Sequence, residues 1–189
     1  MSKTVLVPVA DGSEEMETVV VVDTLRRAGA AVTVAAVVEG TASGGLDVTC
    51  SRGVRLVADK PLTSCRDEIW DLVVLPGGLP GAEHLRDSRT LAYILRAQAA
   101  AGRPYAGICA SPGCVLAAQG LLEGRTATAH PNFMDHLPRP SEERVVVDGG
   151  VVTSRGPGTA LEFALALVGL LFGDGKRREI AREMLAPGA

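Results

Sequence analysis

In Arg103-Pro104-Tyr105-Ala106-Gly107-Ile108-Cys109-Ala110-Ser111, a short apolar run passes through small residues, stops at a cysteine, and hands over to an apolar, helix-like segment. This pattern is a buried strand turning sharply into a helix with a nucleophilic side chain at the turn. Small residues on both sides of such a nucleophile let the backbone pack tightly, expose the side chain and hold it in an uncommon conformation, as in the elbow of hydrolases. The nucleophile here is a thiol. A helix N-terminus lowers a cysteine pKa through its dipole and free N–H groups, so Cys109 is expected to carry more thiolate than an ordinary exposed cysteine.

Outward from this elbow, strands and helices alternate. Thr4 to Val9 is a β-branched strand, broken by Asp11, Gly12 and Ser13 before Glu14, Glu15 and Glu17 open a helix that closes at Ala28 and Gly29. Asp11 with Glu14 resembles a capping box, and the acidic first turn suits the helix dipole. Ala31 to Val38 and Asp71 to Leu75 are continuous apolar runs, as strands buried on both faces tend to be. Val48 to Val57 looks like a small edge hairpin or excursion. Ser88 to Ala101 is a helix, Arg103 to Ile108 the fourth strand, Ser111 to Gln119 a helix, and Thr126 to Ala129 a short strand followed by a polar loop through Pro140. Arg144 to Val147 and Val151 to Thr153 form a hairpin through Asp148, Gly149 and Gly150. Thr159 to Phe172 and Lys176 to Leu185 are the last helices. Such alternation predicts one α/β domain over residues 1–189, with a parallel sheet covered on both faces and its site beyond the carboxyl ends of the strands, after Val9, Leu75, Ile108 and Ala129.

Composition narrows the function. The chain has 189 residues, 47% hydrophobic and 22% charged, but only 3% aromatic, so the core is aliphatic. A formal net charge of −3 gives no electrostatic footprint for nucleic acid. The apolar stretches are about half the ~20 residues a membrane span needs, and Lys3 runs into a strand without room for a signal segment, so a cytoplasmic protein is expected. The four cysteines, Cys50, Cys65, Cys109 and Cys114, read as free thiols, and their spacing with the histidines fits no zinc site. No metal and no cofactor are expected.

Pro76-Gly77-Gly78-Leu79-Pro80-Gly81 follows a strand and matches no phosphate-loop pattern, but it offers backbone N–H groups to an anion. An N–H from Gly78 with that of Ala110 would form an oxyanion hole beside Cys109. Glu17 sits in the first turns of the opening helix, facing the same sheet edge. One of Glu14, Glu15 and Glu17 needs to point inward, where apolar neighbours would desolvate its carboxyl and raise its pKa. His130, at the end of the short strand, is a further candidate for proton transfer. Arg27 and Arg52 are candidates for guarding an anion.

The ordered motifs DGSEEMET, RRAGAAVTVA, CSRGV, LVVLPGGLPGAEHL, GICASPGCVLA, TAHP and VTSRGPGTALEFALALV make the chain resemble the DJ-1/PfpI superfamily, and within it the parkinsonism-associated deglycase branch. The resemblance runs from Thr4 to Val168. It implies a flavodoxin-like fold, a homodimer built on the first helix, and an oxidation-prone nucleophile at Cys109. It also implies a carboxylic partner at Glu17, a histidine at His130, and backbone donors at Gly78 and Ala110. The protease-like branch has His directly after the cysteine, where this chain has Ala110, so proteolysis is disfavoured. Ser111 stands where close relatives of the human protein have Gly, and is expected to narrow the pocket or add a hydroxyl to it. Val57 occupies a place where some relatives carry a second oxidisable cysteine.

The resulting expectation is a cofactor-free, glutathione-independent glyoxalase acting on methylglyoxal or glyoxal, with protein deglycase activity on glycated proteins. The alternative is an oxidative-stress redox sensor or chaperone working through oxidation of Cys109.

Overall fold

The computed structural model describes residues 2–37 and 45–186. Its strands and helices, in chain order, are β1 (Thr4–Val9), α1 (Glu15–Arg27), β2 (Ala31–Ala36), β3 (Asp47–Thr49), β4 (Arg55–Val57), β5 (Lys60–Pro61), β6 (Leu72–Leu75), α2 (Gly81–Asp87), α3 (Arg89–Ala100), β7 (Tyr105–Ile108), β8 (Val145–Asp148), β9 (Val151–Ser154), α4 (Ala160–Phe172) and α5 (Asp174–Glu183).

The two-residue period of the pleat sorts the continuous apolar runs onto opposite faces of one sheet. Val5, Val7, Val9, Leu72, Val74, Ala106 and Ile108 pack with Val21 and Leu25 of α1, Phe163 and Leu167 of α4, and Ile180 of α5. Leu6, Val73, Leu75 and Tyr105 turn to the other face, against Leu85 of α2 and Leu91, Ile94 and Leu95 of α3. The sheet has seven strands in the order β5-β2-β1-β6-β7-β9-β8. All its pairs are parallel except the β8–β9 hairpin. This is the flavodoxin-like α/β architecture, and it brings the ends of β1, β6 and β7 to one edge.

Several local expectations are corrected. Asp11 does not cap α1: Glu14 is the N-cap and accepts from the Glu17 N–H at 2.8 Å, while Asp11 Oδ1 accepts from Thr49 N at 2.8 Å. The chain turns at Asp11 and Gly12 and the helix begins only after Glu14, which takes the capping position. The hairpin β3–β4 forms a separate two-stranded sheet. The segment after the elbow is a π-helix over Pro112–Ala117, begun by Pro112, which brings no N–H, and Gly113, which presses against Phe133. Thr126 to Ala129 is not a strand: it makes one isolated bridge, Ala127 to Pro140, and Thr128 N is taken by the Thr153 hydroxyl at 2.9 Å. α2 and a 3₁₀ turn at Leu62–Cys65 appear where no element was expected. The last helix starts at Asp174, whose carboxylate receives Arg177 and Arg178. β2 ends at Ala36, and Val38 lies outside the described residues. Among the described residues, no helix is long and apolar enough to cross a membrane.

Candidate active site

Cys109 has φ 63°, a left-handed conformation that a residue with a Cβ rarely adopts, so the elbow is strained as its small neighbours imply. Its backbone is pinned at both ends: Cys109 N–H donates to Ser154 O at 2.9 Å, and its carbonyl accepts from His130 N at 2.8 Å. The second bond is what carries His130 from a loop remote in sequence to the nucleophile. The thiol is half-buried.

The loop after β6 packs directly on the elbow. A Cβ on Gly77 would meet the Cys109 Cβ at 2.5 Å, so only glycine allows this approach. Gly77 N–H donates to Glu17 Oε2 at 2.7 Å, and the Gly77 carbonyl accepts from Glu14 N at 2.9 Å. Gly78, at φ 84°, turns its own N–H toward the Cys109 sulfur, which the Ala110 N–H also reaches. Gly77 therefore serves the carboxyl, while Gly78 and Ala110 serve the sulfur.

Glu17 is wholly buried, and its Oε1 has no hydrogen-bond partner among the described residues, although the thiol lies against the carboxyl. Burial pushes Glu17 up to about 7, against the Gly77 N–H and the thiol contact, with the Glu14 charge adding to the rise. Burial also pushes Cys109 up to about 12; the Glu17 charge adds to this, and the Gly78 and Ala110 N–H groups oppose it. The expectation of a thiol acidified by the helix end is thus overturned while Glu17 is ionised. The physical reason is first that burial disfavours the thiolate, and second that the Glu17 carboxylate beside it repels a second negative charge. With the proton on Glu17 that repulsion is gone, and the carboxyl can donate to the thiol that lies against it.

A cavity of about 580 Å³ opens above the thiol, lined by Glu14, Met16, Ser51, Arg52, Gly78, Leu79, Cys109, Ala110, His130, Asn132, Phe133 and Pro157. His130 Nδ1 accepts from Asn132 N at 3.3 Å, which leaves the proton of the neutral ring on Nε2. Arg52 reaches this cavity because Glu15 holds its N–H at 2.9 Å and the Ser51 hydroxyl at 2.9 Å. Arg27 does not: it lies at the far end of α1, paired with Asp23 at 2.8 Å and Glu183 at 2.9 Å. Ser111 does not line the cavity either; it is wholly buried, with its hydroxyl on Pro76 O at 2.5 Å. Met16, Asn132, Phe133 and Pro157 were not singled out from the sequence. Pro157 lies within the quoted SRGPGT motif, which was the available signal for it. Among the described residues no group of three His, Cys, Asp or Glu side chains could hold a metal ion.

Fold and elbow together put the chain among flavodoxin-like α/β proteins that carry a cysteine at a strand-to-helix turn. Residues 3–170 match the DJ-1/PfpI family, and the chain belongs to that family. It is 48% identical to protein DJ-1 homolog B of Arabidopsis thaliana over 96% of its own length, and spans 41% of that longer relative. It is 33% identical to a Caenorhabditis elegans protein named glutathione-independent glyoxalase DJR-1.2, covering 97% of this chain and 95% of that one. Among solved structures, an oxidised DJ-1 of Toxoplasma gondii superposes with a TM-score of 0.94 at 46% identity, covering 98% of this chain and all of that one.

Proposed function

We propose that the protein is a cofactor-free, glutathione-independent glyoxalase for small dicarbonyls such as methylglyoxal and glyoxal. The observation that carries this reading is the Glu17 carboxyl, fully buried, lifted to about 7 and lying against a strained thiol. A pair sharing one proton at neutral pH can present thiolate and acid together. The thiolate sulfur adds to the aldehyde carbon, and the Gly78 and Ala110 N–H groups hold the resulting oxyanion until Glu17 delivers its proton. Glu17, now a carboxylate, removes the former aldehyde hydrogen, with His130 as a second proton carrier. The enediol is reprotonated at the neighbouring carbon, leaving a thioester. Water hydrolyses it to the hydroxy acid, lactate or glycolate, and restores the thiol. One carbon is oxidised as the other is reduced, so no external oxidant enters.

Arg52 at the cavity mouth suits the product carboxylate. The same addition chemistry supports a deglycase activity on early adducts of glycated proteins. The glyoxalase reading is tested by following methylglyoxal loss and lactate formation without glutathione. A loss of about a thousandfold is expected in Cys109→Ser, and an undiminished rate would sink the mechanism.

A second reading is favoured by the same carboxyl: a protonated Glu17 would hydrogen-bond a Cys109 sulfinate, making the site an oxidative-stress sensor. Mild peroxide adding mass at Cys109 alone, with negligible dicarbonyl turnover in the reduced protein, is the outcome that would select it. The exposed Met16 and Val19 of α1, the exposed Val57, and the groove that Val19 and Val57 share with Val22, Val34 and Leu56 support a homodimer through the first helix.

A further inference from the structure

The catalytic thiol and carboxyl are held by two N–H groups of one loop, and the carbonyl behind each is occupied. The Gly77 carbonyl, one side of the peptide whose N–H faces sulfur, accepts from Glu14 N at 2.9 Å. The Pro76 carbonyl, one side of the peptide whose N–H faces Glu17, accepts from the Ser111 hydroxyl at 2.5 Å. In a trans peptide the C=O and N–H point in opposite directions, so a donor fixed on the oxygen fixes the direction of the N–H. It also polarises the amide and strengthens the outgoing bond.

We propose that Ser111 is a positioning residue: its hydroxyl, donated to the Pro76 carbonyl, holds the Pro76–Gly77 peptide in the plane that keeps the Gly77 N–H on Glu17. Ser111 touches neither the cavity nor the sulfur and acts through that peptide alone. The charged and titratable groups around the Glu17 carboxyl are Glu14 on its own helix and Cys109 on the elbow, with Arg52 and His130 lining the adjoining cavity. None of them is altered by changing Ser111, so a shift in Glu17 reports the peptide. A serine that merely satisfied a buried carbonyl would leave the titration of Glu17 where it is.

The test is the carboxyl titration of Glu17 and the amide shift of Gly77, read by NMR in the reduced protein and in Ser111→Ala, Ser111→Gly and Ser111→Thr. Loss of the hydroxyl weakens the bond to the ionised carboxylate, so the Glu17 midpoint moves up by about half a pH unit or more. The Gly77 amide proton moves upfield and follows the Glu17 titration less. Ser111→Thr restores both. An unmoved midpoint and amide in a folded Ser111→Ala or Ser111→Gly overturns the proposal, as does a shift in Ser111→Thr equal to that in Ser111→Ala. If one deletion variant fails to fold, the other carries the measurement. Neither readout needs catalysis, so a protein that turns over no dicarbonyl would refute the glyoxalase reading and leave this one standing.

Discussion

Cys109 and Cys114 stand five residues apart on either side of the same strand-to-helix junction, and they are built for opposite fates. Both thiols are pushed above the usual range by burial. Cys114 belongs to the apolar cluster of Leu85, Val115 and Leu116 with Arg86 Nη1 at 4.0 Å, and among the described residues no carboxyl hydrogen-bonds it. Cys109 has a left-handed backbone, two N–H groups directed at sulfur and a buried acid alongside. The contrast is between a thiol that has burial alone and a thiol that has, besides burial, backbone donors and an acid beside it, and the proposed function rests on the second.

The sharpest way to break the contrast is differential alkylation. Iodoacetamide at pH 7.5 should label Cys109 about a hundredfold or more faster than Cys114, Cys50 or Cys65, because reaction follows thiolate and access. Peptide mass mapping over time reads it, and comparable labelling of Cys114 in the folded protein would erase the distinction. Next comes Gly78→Ala. A Cβ there would fall on the Gly12 carbonyl and Glu14 nitrogen at a φ of 84°, so a destabilisation of about 3 kcal/mol is expected. Urea melts read the loss, and a further slowing of Cys109 labelling, with Cys114 unaffected, would show that the Gly78 N–H serves one thiol and not the other.

Glu17→Gln addresses the shared proton. Glu17 titrates near 7 in the folded chain, above its ordinary carboxylate value of 4.5. Between those values the folded state keeps a proton that the unfolded state has released. The associated stability is therefore complete below pH 4.5 and lost as pH rises through about 7. Wild type should lose roughly 3 kcal/mol more than Glu17→Gln between pH 4.5 and 8, measured by urea unfolding at each pH. Parallel slopes in the two proteins would remove the buried proton from the account. The smallest effect belongs to Cys114→Ala, about 1 kcal/mol of lost packing with dicarbonyl turnover within about twofold of wild type. A large loss of turnover would make Cys114 part of the site.

The frame of the molecule was legible because its strands are buried on both faces: β1, β2, β6 and β7 read as continuous apolar runs, and Gly107 to Ser111 announced the elbow. Glu17, His130, Gly78 and Ala110 could be nominated because each lies at a carboxyl edge. Less legible was anything decided by a contact between distant segments. Asp11 reads as a cap until Thr49 is seen to occupy it, and Arg27 reads as an anion guard until Glu183 is seen beside it. Thr126 to Ala129 has the composition of a strand but spends its hydrogen bonds elsewhere. Thiol acidity is illegible for the same reason, since the helix end is local whereas the burial of Cys109, and after it the Glu17 charge, come from segments distant in sequence.

The three glutamates at the start of α1 have divided their attachments among different parts of the chain: Glu14 donates its backbone N–H to the Gly77 carbonyl, the Glu15 carboxylate accepts from the Ser51 hydroxyl and the Arg52 N–H, and the Glu17 carboxyl accepts from the Gly77 N–H. A single turn of helix thus staples two loops before any substrate arrives. The ordering entropy of these loops is met during folding, so the proposed reaction would need little rearrangement of them. In exchange terms, the amides of Gly77 and Arg52 should resist deuterium with the persistence of core strands, although both lie in loops.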